Sequence, residues 1–159
     1  MAADHLAAPT PLEEHRRLAA FAGEWTGEEM VYPSRWTAGG PAAARVSARI
    51  DLNGFYLIQD AVQTRDGKEI FASHGVFTYD REDRLYKLFW HDSLGYYPPS
   101  PASGGWSNNS LILVRGSLRG NARHVYEIID DDNYTMKIQF SPDAEGWADV
   151  LTGVYRRIH

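Results

Sequence analysis

Three histidines lie in runs of residues typical of β-strands, and they are the side chains best suited to chemistry in this chain. His74, His91 and His124 stand in separate runs, without the close His-x-x-x-His spacing of a metal site. We therefore predict no metal site. A histidine beside a carboxylic acid and a tyrosine can transfer protons. Asp92, His124 and Tyr126 would form such an acid–base site if the fold brings them together.

Composition and charge exclude several classes of function. The chain has 159 residues and no cysteine, which excludes disulfides, thiol nucleophiles and thiolate metal sites. Its net charge of −5 argues against nucleic acid as a partner. No apolar stretch approaches the length of a membrane span and no signal-like segment begins the chain, so we predict a cytoplasmic protein without membrane insertion. Phosphate-binding and dinucleotide-binding motifs are also absent from the sequence.

The elements that must position these residues are short strands. From residue 24 onward, nine or ten runs rich in Val, Ile, Phe, Tyr and Trp alternate with turn residues such as Asn53-Gly54 and Asp66-Gly67. Strands joined by such tight turns lie side by side, and a long meander avoids exposed edges by closing on itself. The sequence therefore predicts a mainly β fold, a single closed antiparallel meander β-barrel of about ten strands.

The N-terminal part predicts a tail followed by one helix. Residues 1–10 read as a flexible tail, and residues 11–159 as a single barrel domain. From about Leu12, apolar residues recur on one side, including Leu18, Ala19 and Ala22, with acidic and basic residues on the other. Gly23 ends this pattern. We predict a short helix that caps one end of the barrel.

Alternation along each strand predicts which side chains face the barrel interior, provided that charged residues face water. Lys87, Glu127 and Lys137 fix the faces of three strands in this way. In the run 69–79 both faces stay open, with either Phe71, Ser73, Gly75, Phe77 and Tyr79 or Ala72, His74, Val76 and Thr78 pointing inward. The predicted ligand-binding residues are Tyr56, His74, Tyr86, Trp90, Asp92, His124, Tyr126, Met136, Ile138 and Phe140.

Two longer connections carry aromatic residues and predict a portal. Residues 32–41 contain Trp36, and residues 93–106 contain Tyr96, Tyr97 and Trp106 among several prolines. Long aromatic loops in compact domains often cover a binding site. We predict that these four aromatic residues form the portal or lid, with Trp36 and Trp106 at the same mouth of the barrel.

A set of short motifs resembles a known family. The pattern His15-x-x-Leu18-x(4)-Gly23-x-Trp25-x-Gly27, together with a closing Tyr155-Arg156-Arg157, is similar to a family of bacterial calycin-like barrels without an established activity. The Gly-x-Trp-x-Gly segment also resembles nitrobindin and the lipocalins. The resemblance implies a barrel in which Gly23, Trp25 and Gly27 are structural. It also implies that an arginine near the end of the chain, Arg156 or Arg157, stacks on Trp25; we assign Arg156 to this signature.

The resemblance to nitrobindin raises the question of haem. In nitrobindin-like barrels the histidine that binds the haem iron lies on the last strand. The last predicted strand here, residues 146–157, contains no histidine, and the terminal His159 is expected to fray. His74 and His124 are the remaining candidates for an iron ligand. We predict neither haem nor another cofactor.

Three classes of function fit these sequence features. The first is a barrel that binds a small hydrophobic or aromatic molecule in its central cavity. The second is a cofactor-free enzyme, of the isomerase, cyclase or decarboxylase type, that uses inward Tyr, His and Asp residues for proton transfer. The third is a filled structural domain without a ligand. We favour the first, and the sequence leaves a homodimer open.

Overall fold

The computed structural model describes residues 5–159 and shows a closed barrel of ten antiparallel strands. Each strand pairs with its neighbours in sequence, and the first strand also pairs with the last. The predicted barrel is therefore confirmed. Its elements are an α-helix α1 at Glu13–Arg17, a 3₁₀ helix at Leu18–Phe21, a single 3₁₀ turn at Leu52–Gly54, and strands β1 Gly23–Val31, β2 Gly40–Asp51, β3 Tyr56–Arg65, β4 Lys68–Asp80, β5 Leu85–Asp92, β6 Ala102–Ser107, β7 Ser110–Ser117, β8 Gly120–Asp130, β9 Asn133–Ser141 and β10 Ala148–Arg157.

The division into a tail over residues 1–10 and a domain over 11–159 stays a prediction. Residues 1–4 lie outside the described part of the chain, and residues 5–10 contain neither helix nor strand. Within residues 5–159, no helix has the length and apolar character needed to cross a membrane.

The short N-terminal helix covers one end of the barrel, as predicted, but with a different buried face. His15, Leu18 and Phe21 are buried, while Ala19 is exposed. The spacing of three arises because the helix continues as a 3₁₀ helix, in which residues three apart share a face. The Nδ1 atom of His15 accepts a hydrogen bond from the backbone N–H of Leu12, which closes the first turn.

The closed meander gives the barrel two different ends. Odd-numbered strands run away from the helix and even-numbered strands return toward it, as the consecutive antiparallel pairing requires. We call the helix-covered end the closed end. The opposite end, the open end, carries the connections at residues 32–39, 66–67, 93–101, 118–119 and 142–147.

Trp25 ties the helix to the barrel at the closed end. Its indole Nε1 donates a hydrogen bond to the carbonyl oxygen of Phe21 at 3.0 Å. The guanidinium carbon of Arg157 lies 4.2 Å from the centre of the Trp25 ring, a cation–π contact, and its Nη1 donates to the carbonyl oxygen of Ala22. The assignment of this contact to Arg156 was wrong, because strand alternation turns Arg156 toward solvent.

Aromatic packing fills the closed half of the barrel. Phe21 projects from the 3₁₀ helix onto the rings of Tyr126 and Tyr134, with centroids 5.9 and 5.4 Å away. Trp25 meets the Tyr134 ring edge-on at 4.7 Å, and Phe77 meets Tyr126 at 5.4 Å. All five side chains are at most 2% exposed. This half of the barrel is a packed core and leaves no room for a ligand.

Two glycines make space for the Tyr155 ring. A Cβ atom at Gly27 on β1 would lie 2.6 Å from the Tyr155 ring, and a Cβ atom at Gly153 on β10 would also overlap it. The ring therefore lies flat over bare backbone of two paired strands. This placement explains the second glycine of the Gly-x-Trp-x-Gly segment.

Candidate functional site

Aromatic loops surround the open end of the barrel. Trp36, in the connection after β1, lies 5.7 Å from Tyr96, in the connection after β5. The guanidinium carbon of Arg119, from the β7–β8 hairpin, lies 4.3 Å from the centre of the Tyr96 ring. Tyr97, next in the same connection, is 84% exposed and is therefore more exposed than Trp36 and Tyr96. Three separate connections thus meet above the strands at this end.

A cavity of about 420 Å³ lies beneath these loops. Its volume falls in the range of roughly 300–1,000 Å³ that is typical of small-molecule sites. Apolar and aromatic side chains form most of the wall, and three of its polar side chains, Asp92, Arg115 and His124, come from β5, β7 and β8. The main apolar members are Trp36, Phe71, Trp90, Leu94, Ile138 and Leu151.

The predicted tyrosine, histidine and aspartate come close together but do not form one hydrogen-bonded cluster. The Tyr126 hydroxyl lies 3.4 Å from Nδ1 of His124, and the His124 ring packs 5.0 Å from the Trp90 ring. Asp92 accepts a hydrogen bond from the indole Nε1 of Trp90 at 2.9 Å and another from the backbone N–H of Leu94. Trp90 therefore stands between the acid and the histidine.

Burial decides the charge state of His124. The side chain is 2% exposed, and its desolvation, with a smaller contribution from the positive charge of Arg115, lowers the pKa of the imidazole to about 3. His124 is therefore neutral at pH 7. A general base works best when its pKa lies near the working pH, so His124 is poorly suited to abstract protons there.

Arg115 brings a positive charge into the cavity wall from β7. Leu111 and Leu113 precede it on the same face and are completely buried, so strand alternation turns Arg115 inward. Its Nε atom is buried and has no hydrogen-bond partner among the described residues. Desolvation lowers the pKa of the guanidinium, and the nearby charge of Arg119 adds to this, but an arginine keeps its proton throughout the ordinary pH range.

A second polar group marks the boundary between the cavity and the packed half. Glu29 on β1 is buried, and its carboxylate accepts hydrogen bonds from the Gln63 amide at 2.8 Å and from the Tyr155 hydroxyl. Burial, followed by the negative charge of Glu29, raises the pKa of Tyr155 well above its usual range, so Tyr155 remains a donor. The void beside these groups, about 20 Å³, has room for about one water molecule.

Several of the predicted ligand-binding residues line the open half, although nothing tests whether they bind a ligand. Trp90, Asp92, His124 and Ile138 line the cavity, and Phe140 lies at its outer rim. Two others lie deeper, since Met136 borders the small void beside Glu29 and Tyr126 belongs to the packed core. Of the predicted portal residues, Trp36, Tyr96 and Tyr97 line the outer part of the same cavity.

Two predicted ligand-binding residues face outward. His74 lies on the outer surface, where its Nδ1 is 2.6 Å from a carboxylate oxygen of Asp60. Its neighbours Gly75 and Phe77 are buried, so the other face of β4 points inward. Tyr56 alternates with the buried Leu57 and therefore also lies on the outer face. The inward placement of both residues was wrong.

Two further predicted residues lie at the closed end. The hydroxyl of Tyr86 donates to the carbonyl oxygen of Glu14 at 2.8 Å, beneath the helix. Trp106 stacks on Phe21, with centroids 6.0 Å apart, and Arg17 lies 3.9 Å above its ring. The expectation that Trp36 and Trp106 lie at the same mouth of the barrel was wrong. Trp106 lies near the end of the short strand β6, which runs from the open end to the closed end.

The cavity does not fit haem. Among the described histidines, only His124 faces the cavity, and its ring is buried between Trp90 and Tyr126. His159 lies on the outside at the closed end, 3.1 Å from Asp132. Residues 5–159 also contain no group of three or more His, Asp or Glu side chains arranged to hold a metal ion.

Sequence reasoning missed Arg115 and Glu29, the two charged residues that matter most inside the barrel. The rule that charged residues face water turns both of them outward. Counting alternate residues from a side chain that is clearly buried would have predicted the inward position of both. Trp25 and Glu29 share one face of β1, and Leu113 and Arg115 share one face of β7.

Comparison with known proteins places this architecture in a family. The structure is similar to the crystal structure of Rv2717c from M. tuberculosis, with a TM-score of 0.70, 14% identity, and coverage of 93% of this chain and 99% of that chain. It is also similar to an S-type phycobiliprotein lyase, CPES, from Guillardia theta, with a TM-score of 0.62, 9% identity, and coverage of 94% and 99%. At these identities the likeness shows the fold alone. No curated protein sequence matches the chain. Residues 10–157 match a family model, and the chain belongs to the family described as "Protein of unknown function (DUF1579)".

Proposed function

We propose that this protein binds a small, largely apolar or aromatic molecule in the cavity at the open end of the barrel. The observation that carries the proposal is the contrast within one barrel. The core of the closed half is packed with aromatic side chains, whereas the open half has a solvent-accessible cavity of about 420 Å³ beneath aromatic loops. Concave, mostly apolar cavities of this volume are typical of small-molecule sites, and a purely structural domain does not need one.

The similar structures support this proposal only at the level of fold. One of them is described as a phycobiliprotein lyase, a name that fits a barrel acting on a small-molecule ligand. A calycin-like placement of the chain, with a ligand in the barrel, is part of the same proposal. A cytoplasmic location and a homodimer stay predictions.

Binding is better supported than proton-transfer catalysis. His124 is neutral, with its pKa lowered to about 3, and Asp92 is held by the Trp90 indole and a backbone N–H. His124 therefore does not resemble a base poised near pH 7. The polar groups of the cavity are suited to orienting a ligand.

Two measurements test the proposal. Native mass spectrometry of freshly purified protein should reveal a co-purifying small molecule. The neutral fluorescent probe N-phenyl-1-naphthylamine should bind the emptied protein saturably, at one molecule per chain. Ala122→Trp, which fills the cavity wall on β8, should weaken the probe's affinity by about tenfold or more.

Val154→Trp is the matched control, because Val154 lies on the outer face of β10 and is 59% exposed. It should leave probe binding unchanged. Failure to detect either a co-purifying molecule or saturable probe binding would contradict the proposal. Equal probe affinity for the Ala122→Trp variant and the wild type would show that the probe binds elsewhere.

A further inference from the structure

We propose that Arg115 binds an oxyanion group of the ligand, such as a carboxylate or a sulfonate. The ligand is then an amphipathic anion with an apolar body, and not a neutral hydrophobic molecule. This inference rests on the proposed function, since it names the class of molecule that the open-end cavity takes.

The first support is the unpartnered guanidinium. An arginine side chain has five N–H donors and no acceptor, and buried donors are normally paired. The buried Nε of Arg115 has no hydrogen-bond partner within residues 5–159, although the residue lines the cavity. Arg115 is half-buried, and leaving its buried Nε donor without an acceptor is costly, so an oxyanion brought by a ligand would remove that cost.

The acidic side chain nearest to this arginine in the cavity is already engaged. Asp92 accepts hydrogen bonds from the Trp90 indole and from the backbone N–H of Leu94. It forms no ion pair within 4.0 Å with Arg115 in the described part of the chain. His124 is neutral and cannot balance the charge either. The negative charge of Asp92 acts on Arg115 from a distance, but no described residue accepts a hydrogen bond from its Nε.

Charges around the whole open end favour an anion as well. The cavity and its outer part are lined by four arginines, Arg35, Arg65, Arg115 and Arg119, but by only two aspartates, Asp92 and Asp149. This positive excess stands out in a chain whose net charge is −5. A cavity lined by one sign of charge attracts ligands of the opposite sign.

The other three arginines have partners within the protein. Arg65 donates to the backbone carbonyl oxygens of Gly40 and Pro41. Arg35 lies over the Trp36 ring and Arg119 over the Tyr96 ring. These contacts single out Arg115 as the arginine whose guanidinium is directed at the ligand, with Trp90 and Ile138 beside it for the apolar body.

A matched pair of probes separates the charge from the apolar body. N-Phenyl-1-naphthylamine and 8-anilino-1-naphthalenesulfonate share their ring system and differ by the sulfonate. Arg115→Met keeps the length of the side chain and removes the charge. It should weaken binding of the sulfonate probe by about tenfold or more, since hydrogen bonds to charged groups are strong. It should leave binding of the neutral probe within about twofold of the wild type.

Arg16→Met is the control, because Arg16 is an exposed arginine on α1 at the closed end, away from the cavity. It should change the affinity of either probe by no more than about threefold. An equal loss of affinity for the sulfonate probe in both variants would overturn the inference, because the overall positive charge of the arginines, and not Arg115 itself, would then explain the preference for an anion.

A third measurement needs no variant and holds even if Arg115→Met does not fold. In the wild type at neutral pH, 1-naphthoate should displace the neutral probe at a concentration about tenfold lower than 1-naphthalenemethanol does. Equal potency of the two competitors would overturn the inference while leaving the proposed function intact. Absence of any binding of the neutral probe would instead count against the proposed function itself.

Discussion

The two halves of this barrel use the same ten strands for opposite purposes. In the closed half, inward side chains are aromatic rings in contact with one another and with Phe21 from the helix segment. In the open half, inward side chains stand around a cavity and include Asp92, Arg115 and His124. Alternation along a strand therefore decides which residues face inward, whereas residue size and the covering element decide whether the interior is filled.

Glu29 lies where these halves meet. Its carboxylate is the acceptor for Tyr155 and Gln63, so a buried charge is stabilised by donors from two other strands. We expect stability to depend mainly on the packed half and this boundary, and ligand affinity mainly on the open half. Variants in each half and at the boundary test this expectation.

The largest effect should come from a tryptophan of the closed half. Trp25→Ala removes a side chain that is 1% exposed and that packs against Tyr134 and Arg157. It should lower the free energy of unfolding by about 3–5 kcal/mol, measured by urea denaturation. Trp36→Ala, at the open end and 53% exposed, is the control and should cost less than about 0.5 kcal/mol. Comparable losses in the two variants would contradict a division of labour between the halves.

The second effect is the response to acid through His124. Its folded-state pKa of about 3 lies below the unfolded value of 6.5, so the unfolded chain binds the proton first. The contribution of His124 to stability is complete above pH 6.5 and is lost as the pH falls toward 3, by up to about 1.4 kcal/mol per pH unit.

His124→Gln should remove this contribution. The unfolding free energy of the variant should therefore fall less steeply than that of the wild type between pH 6.5 and pH 4, measured by urea denaturation at a series of pH values. Carboxylates contribute equally to both proteins, so the difference between the two slopes reports His124. Identical slopes would mean that the imidazole is hydrated and not part of a dry wall.

The smallest effect should come from the boundary. Tyr155→Phe keeps the ring over Gly27 and removes the hydroxyl that donates to Glu29. Leaving the buried carboxylate with one donor fewer should cost about 1–3 kcal/mol of unfolding free energy. Tyr97→Phe alters a tyrosine that is 84% exposed and should cause no measurable change. Unchanged stability of the Tyr155→Phe variant would show that this hydrogen bond contributes nothing to the free energy of unfolding.

The fold could be predicted from the sequence because its signals are local. Alternating apolar runs and turns such as Asp66-Gly67, where both residues have positive φ, fix the strands one hairpin at a time. Once consecutive strands pair, only the pairing of β1 with β10 is needed to close the barrel. The contact between Trp25 and a C-terminal arginine was also predicted, but alternation at the end of β10 selects Arg157, not Arg156.

The site could be predicted only in part, because it depends on contacts between distant strands. Trp90, Asp92 and His124 were found since their strands carry outward charges that fix the faces. Arg115 and Glu29 were missed because a buried charge breaks the rule that charges face water. Trp106 was misplaced because it was assigned to the long Pro-rich connection, although it lies in the six-residue strand β6.

The packing of the Tyr155 ring against Gly27 and Gly153 limits how this barrel can be redesigned. A single methyl group added at Gly27 or at Gly153 would lift the phenol off both strands and withdraw its hydroxyl from the carboxylate above. A steric change in the barrel wall would in this way deprive the buried Glu29 carboxylate of a hydrogen-bond donor. A design that enlarges the cavity should therefore change residues at the open end and keep glycine at both of these positions.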